Sequence, residues 1–279
     1  MNLYLKIKDY SVSQEEFMLI YDEEKDMLVT HPKPSNIETY YDSPDYISHT
    51  DATQTFFDRV YQKVKRFNLK RKVRLIERGT GNKKSLLDVG SGTGDFLVMA
   101  KTSGWQVNGV EPNLKAQQKA KEKGVVAYPS LEHVSEQNFQ VITLWHVLEH
   151  FSDLEGSIRK LTSLLEENGT LIIAVPNFKS FDAHYYNIHW AGFDVPRHLW
   201  HFSKKSIELL FSDSGCEIIS TKPMWFDAFY VSILSERYKG SRASFIKGLV
   251  IGAYSNLRAL FTGEYSSRIY VLKKQQKDT

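Results

Sequence analysis

The sequence has a single cysteine in 279 residues, Cys216. No intrachain disulfide can form, and a zinc site built from several thiolates is excluded. Long apolar runs are also missing. Met1-Asn2-Leu3-Tyr4-Leu5-Lys6 lacks the hydrophobic stretch of a secretory leader, and Gly248-Leu249-Val250-Ile251-Gly252-Ala253 is far short of the about 20 residues a membrane-spanning helix needs. A cytoplasmic location is the expectation that follows. No low-complexity tract points to long disorder. What remains is a chain with 42% hydrophobic residues, enough for one large α/β domain or a core with appendages. The net charge of +3 is unevenly spread: Lys63 to Lys84 carries ten Lys or Arg residues against Glu77 alone, +9, which leaves −6 elsewhere. That stretch suits the solvated face of a helix packing through Val64, Phe67, Val73 and Ile76, or a surface for nucleic acid or anionic lipid. No nucleic-acid module accompanies it, so nucleic acid is not the expected partner.

The chemistry-bearing stretch is Leu86-Leu87-Asp88-Val89-Gly90-Ser91-Gly92-Thr93-Gly94-Asp95-Phe96. An apolar run breaks into three alternate glycines and resumes at helical spacing (Phe96, Leu97, Met99, Ala100). This predicts strand, glycine turn and helix, with backbone bared for a ligand and unpaired N–H groups at the helix start. A second strand, Gln106 to Val110, ends in Glu111-Pro112, placing a carboxylate where it can accept both hydroxyls of a ribose. A dinucleotide fingerprint wants its third glycine one position later, where Asp95 stands.

D-V-G-S-G-T-G followed by V-E-P resembles the class I S-adenosylmethionine (SAM)-dependent methyltransferases. The resemblance implies an α/β, Rossmann-like core: a seven-stranded, mostly parallel sheet with the last strand antiparallel and helices on both faces. It implies SAM as cofactor, with S-adenosylhomocysteine as product. Asp88, Gly90, Ser91, Gly92, Gly94 and Phe96 would line the methionine side, Glu111 the ribose, and Pro112 and Leu131 the adenine. Further strands are expected at 125–128, 139–145, 170–175, 217–221 and 266–273, with helices at 113–123, from Asp153 to a stop at Asn168-Gly169, and at 203–214. The divisions expected are an extension over 1–50, a basic helical segment over 51–84, and a methyltransferase domain over 85–279 with insertions at 178–202 and 225–265. In the second insertion Phe229, Val231, Ile233, Leu234, Phe245, Leu249, Val250, Tyr254, Leu257 and Phe261 recur at helical spacing, which suggests two amphipathic helices with one face buried. That face reads as core packing, a substrate cap, a dimer surface or a membrane-edge anchor.

Trp145-His146-Val147-Leu148-Glu149-His150 formally matches an H-x-x-E-H zinc motif but follows a buried strand rather than lying on a helix, so no metal is expected. It resembles the segment closing the fourth strand in quinone-methylating and related small-molecule methyltransferases. By that resemblance Trp145 and His146 line the cofactor, and His146 and His150 join the catalytic candidates. Pro196-Arg197-His198-Leu199 with Phe202-Ser203 resembles bacterial members of the group. His198 is the first candidate for a general base, because imidazole titrates near neutrality; packing is the competing role. Tyr21 to Thr30 resembles a ribbon hairpin whose zinc-binding cysteines are replaced here by Asp22 and Lys25. Tyr40, Tyr41 and Tyr46 could dock this extension, and Tyr46 could reach the cofactor. The expected reaction is methyl transfer from SAM to oxygen or nitrogen on a small molecule, sugar or lipid-linked intermediate. A nicotinamide-dependent oxidoreductase and a non-catalytic SAM- or RNA-binding protein are the alternatives. A small-molecule acceptor is the expected partner, a membrane surface stays open, and oligomeric state is unread.

Overall fold

A computed structural model describes residues 2–41, 56–78, 84–134 and 138–275. The chain opens with β1 (Asn2–Lys8), β2 (Glu16–Asp22) and β3 (Met27–His31), an antiparallel meander. Ile7, Phe17, Leu19 and Leu28 face one side and are buried against Trp190, Phe193 and Val195. The β2–β3 hairpin corresponds to the ribbon that Tyr21 to Thr30 resembles; β1, where Leu3, Leu5 and Ile7 alternate with Tyr4 and Lys6, is not among the expected strands.

The basic segment forms α1 (Phe56–Ile76), anchored by Val73, Leu75 and Ile76 in its last turns. A doubly wound unit follows: β4 (Ser85–Val89), α2 (Asp95–Thr102), β5 (Gln106–Val110), α3 (Leu114–Glu122), β6 (Ala127–Tyr128), β7 (Phe139–Trp145), α4 (Leu154–Ser163) and β8 (Leu165–Pro176). Then come α5 (Phe181–Tyr186), β9 (Trp200–His201), α6 (Lys204–Ser212), β10 (Cys216–Pro223), α7 (Asp227–Tyr238), α8 (Ser244–Thr262) and β11 (Ser267–Lys274). The main sheet runs β10-β11-β8-β7-β4-β5-β6, and β11 lies antiparallel to both its neighbours. This is the seven-stranded, mostly parallel, Rossmann-like sheet expected from the sequence. The strand order reverses between β4 and β7, the place where open α/β sheets leave a crevice at their carboxyl ends. Leu86, Leu87, Ile142, Leu144, Leu171 and Ile173, all fully buried, fill the two faces of these central strands.

Three expectations need correction. Asn168-Gly169 does not stop a helix: α4 ends at Ser163, and Leu165 already pairs with Phe139. The four residues after Leu165 are absorbed as a register shift within one long strand, with Asn168 at φ 60°. The insertion 178–202, where no element is expected, contains α5 and β9. β9 pairs with β3, so the amino-terminal sheet is completed by Val29↔Trp200 and Leu28↔His201.

The third correction concerns the α7–α8 pair. The helices form as expected, but Phe245, Leu249, Val250, Tyr254, Leu257 and Phe261 are exposed. What α8 buries is Gly248, Gly252, Ser255, Asn256 and Ala259. The glycines allow close approach to α7: a Cβ on Gly252 would stand 2.8 Å from the Ala228 carbonyl oxygen. Asp182, fully buried, then accepts from Trp190 Nε1 (2.8 Å), Ser255 Oγ (2.7 Å) and Ser266 Oγ (2.7 Å), tying α5, the following loop, α8 and the start of β11 together. Because backbone cannot yield as a side chain can, Gly252→Leu is expected to destabilise the protein by about 1–3 kcal/mol. Urea denaturation would show it as a lower midpoint; an unchanged midpoint would mean the helix contact contributes nothing.

Candidate active site

The glycine turn sits at the carboxyl end of β4, with Gly90, Gly92 and Gly94 all at positive φ (72°, 53° and 78°). Side chains at Gly90 and Gly94 would collide with Val147 and Val125, whereas nothing lies within 4 Å of a Cβ on Gly92. The outer edge of the turn is therefore open to a ligand. Glu111, at the end of β5, accepts from Gly92 N through one oxygen and from Asn113 N through the other, both at 2.9 Å. Each oxygen keeps a lone pair. Ser91 Oγ is buried with no hydrogen-bond partner. Asp88 is buried below the turn and accepts from Thr143 Oγ1 at 2.6 Å. Burial pushes its carboxyl up to about 7 despite Thr143 and the nearby charge of Lys72. Phe96 meets Trp145 edge to face at 5.9 Å, and the Lys72 ammonium lies 4.3 Å from the Trp145 ring centre. Burial lowers the Lys72 pKa, opposed by Asp88 and Asp227.

Beside this cradle lies a histidine–carboxylate cluster. His146, at φ 57°, has Nε2 3.0 Å from Asp227 Oδ2 and Nδ1 3.4 Å from Glu149 Oε1. Burial works against its charge, but the two carboxylates outweigh burial and raise its pKa to about 10. Glu149 is buried, and neither carboxylate oxygen makes a hydrogen bond. Burial opposes its charge, but His146 first and then the fields of His198 and His150 bring its pKa down to about 2. His150 Nδ1 lies 3.0 Å from the Arg197 carbonyl and 3.0 Å from Tyr41 Oη. Burial first, then His198, lowers its pKa to about 4. His198 Nδ1 lies 3.0 Å from the Gly192 carbonyl. A carbonyl only accepts, so in both rings Nδ1 carries a proton. His198 Nε2 stands 4.0 Å from Glu149 Oε1 and 3.9 Å from Asp194 Oδ2. Glu149, His150 and His198 each offer an atom within 4.8 Å of the others, a donor set able to hold an ion.

The structure thus gathers Asp88, Gly90, Ser91, Gly92, Gly94, Phe96, Glu111, Trp145 and His146 around the carboxyl ends of β4, β5 and β7, with His150 and His198 in contact at 4.7 Å between ring centres. Pro112 is exposed just beyond Glu111, and Leu131 is buried in the core cluster that also holds Val110. Tyr46 lies outside the described residues. Sequence reasoning missed Lys72, Asp227, Asp194 and the arginine that locks the histidine loop. Arg197, 1% exposed, donates to Asp194 through Nε (3.0 Å) and Nη2 (2.6 Å), to Asp9 Oδ1 (3.1 Å), to the Tyr40 carbonyl (2.9 Å) and to Ser11 Oγ. Its place in P-R-H was the available signal; nothing marked Lys72 among the other cations of α1.

The methyltransferase-domain family model matches residues 59–221, more than half of the chain. The chain belongs to this methyltransferase family. No curated protein sequence matches the methyltransferase. Among solved structures it is similar to magnesium protoporphyrin IX methyltransferase from Synechocystis PCC 6803 with bound SAH (16% identity, 85% of this chain and 92% of that one covered, TM-score 0.54). It is also similar to the cyclopropane synthase MmaA2 from Mycobacterium tuberculosis (12% identity, 76% and 85% covered, TM-score 0.54). A third similar structure is the [4+2]-cyclase SpnF (17% identity, 74% and 80% covered, TM-score 0.51). These likenesses establish the fold. The methyl donor of this methyltransferase is SAM, and the cradle fits it: an open glycine edge, a hydroxyl in need of a partner at Ser91, and spare acceptor capacity at Glu111.

His146 is expected to stay protonated through neutral pH, releasing its proton near pH 10. The pKa is raised over an unfolded value of about 6.5, so the stability this adds is whole below that value and drains away as pH rises through the folded pKa. Ring-proton NMR would follow the titration, and a midpoint near 6.5 would remove the pairing with Asp227 and Glu149.

Proposed function

We propose that this methyltransferase methylates an oxygen or nitrogen on a small molecule, sugar or lipid-linked intermediate, with His198 as general base. The observation that carries the reading is the placement of His198 Nε2, 4.0 Å from Glu149 Oε1 and 3.9 Å from Asp194 Oδ2. Its other nitrogen is committed to the Gly192 carbonyl, and two carboxylates stand ready to stabilise the imidazolium formed when it takes a proton. His146 is already charged at neutral pH and so acts as a fixed positive group rather than a base. His150 holds the loop through the Arg197 carbonyl, a positioning role.

SAM supplies a methyl group already activated by its sulfonium charge. The protein's task is therefore mostly alignment, which can contribute up to about 7–11 kcal/mol, whereas a base adds about 10²–10⁴-fold. The Gly90–Gly94 turn and Ser91 position the methionine portion, Asp88 and Lys72 set the charge balance beneath it, and Glu111 takes the ribose hydroxyls. Phe96 and Trp145 wall the site and keep water from it. Asp227, reaching His146 from α7, closes the side from which an acceptor enters.

Three measurements test this. SAH at 100 times its dissociation constant should stabilise the fold by about 2.7 kcal/mol; stabilisation by NADH and not by SAH would overturn the assignment. Glu111→Ala should weaken SAM binding by about 1.5–3 kcal/mol, roughly 10–150-fold. His198→Ala should lower turnover by about 10²–10⁴-fold on any acceptor found, while SAM affinity stays as it was. Equal losses in turnover and SAM affinity would instead place His198 in the scaffold.

A further inference from the structure

Helix α8 is turned inside out. Toward the protein it presents Gly248, Gly252, Ser255, Asn256 and Ala259. Toward solvent it presents Phe245 (58% exposed), Ile246 (66%), Val250 (61%), Leu257 (53%), Leu260 (57%) and Phe261 (88%). An exposed apolar side chain is ordinary when single, but a continuous row along a whole helix marks a surface that something else covers. The inward face makes specific bonds: Ser255 donates to Asp182, and Asn256 donates to the Trp225 carbonyl. Turning the helix over to bury the apolar row would sacrifice these bonds, so the orientation is fixed by the fold.

From Arg237 to Gly263 the charges have one sign. Arg237, Lys239, Arg242, Lys247 and Arg258 are all exposed, and no Asp or Glu occurs between Arg237 and Gly263. We propose that the outer face of α8, with the cationic rim of the α7–α8 pair, seats this methyltransferase on an anionic lipid bilayer. Apolar residues would enter the acyl boundary while the cations meet phosphates, the arrangement of an interfacial helix. A second copy of the chain fits less well, because a two-fold contact sets the cations of one copy against those of the other. No helix among the described residues is long and apolar enough to cross a membrane, so the seating is peripheral. The surface also adjoins the site. Asp227, in the first turn of α7, touches His146, and Phe226 meets Phe67 of the basic helix α1 edge to face at 6.1 Å. An acceptor carried in the bilayer would thus reach the site along α7. The seating itself does not depend on which acceptor is methylated.

The test is co-flotation of the full chain with phosphatidylcholine vesicles, with and without phosphatidylglycerol. Binding is expected with the anionic lipid and should weaken with salt. Lys247→Gln and Arg258→Gln should each cost about fivefold in affinity, as removal of one surface cation does. Leu257→Glu with Phe261→Glu should abolish binding, and both positions are exposed, so the fold should tolerate the change. The thermal shift given by SAH in the same variants reports separately on folding and on the cofactor site. Absence of flotation with anionic vesicles would overturn the proposal, as would unaltered binding by the Leu257/Phe261 variant. Sedimentation showing a wild-type dimer that this variant dissociates would assign the face to a second copy instead.

Discussion

The guanidinium of Arg197 is the interaction on which the site depends. It is buried between Asp194 on its own loop and Asp9 at the end of β1, and it also binds the Tyr40 carbonyl. Asp9 in turn gathers the backbone N–H groups of Ser11, Val12 and Ser13. One cation therefore joins three segments that are distant in sequence, and the backbone of the same residue holds His150. Breaking a buried pair strands a charge and costs about 3–5 kcal/mol. The burial of Arg197 thus acts less as a source of net stability than as a specification: only one placement of the histidine loop satisfies all of its donors.

Two further buried carboxylates do similar work. Asp182 collects Trp190, Ser255 and Ser266, and Asp26 collects Lys179, Tyr21 and Ser203. Each joins the amino-terminal sheet or the α7–α8 pair to the core through hydrogen bonds that leave little slack. The parallel sheet needs no such clamps, because its strands are covered on both faces by apolar side chains. The appended parts bury less apolar surface of their own and rely on polar hubs for their position. This division matches what each part does: the sheet holds the glycine turn, and the hubs aim the histidines.

The same division decides what could be read from the sequence. Strands β4, β7 and β8 are legible because buried parallel strands are near-continuous apolar runs, and the glycine turn is legible because its spacing is dictated by backbone geometry. Glu111 follows from its place after β5. The hubs are not legible, since Arg197 and Asp9 are brought together across most of the chain and nothing local marks either one. Lys72 looks like every other cation in α1 until the fold turns it toward Trp145. The periodicity of α8 is that of a helix, yet the apolar face it marks is the exposed one. Helical spacing shows that a face is apolar, but only the packing of Gly248 and Gly252 against α7 shows which face turns inward.

The pairing of β3 with β9 has a consequence for synthesis. Val29 and Leu28 find Trp200 and His201, while Thr30 Oγ1 donates to the His198 carbonyl and takes a hydrogen bond from His201. These partners are about 170 residues apart, and translation at about 5–20 residues per second separates their appearance by on the order of ten to thirty seconds. For that interval the nascent meander carries an open strand edge and an uncovered apolar side, both liable to mispairing. The β1–β3 meander is thus synthesised well before the strand that secures it, which makes this sheet the natural client of any holding chaperone during biosynthesis.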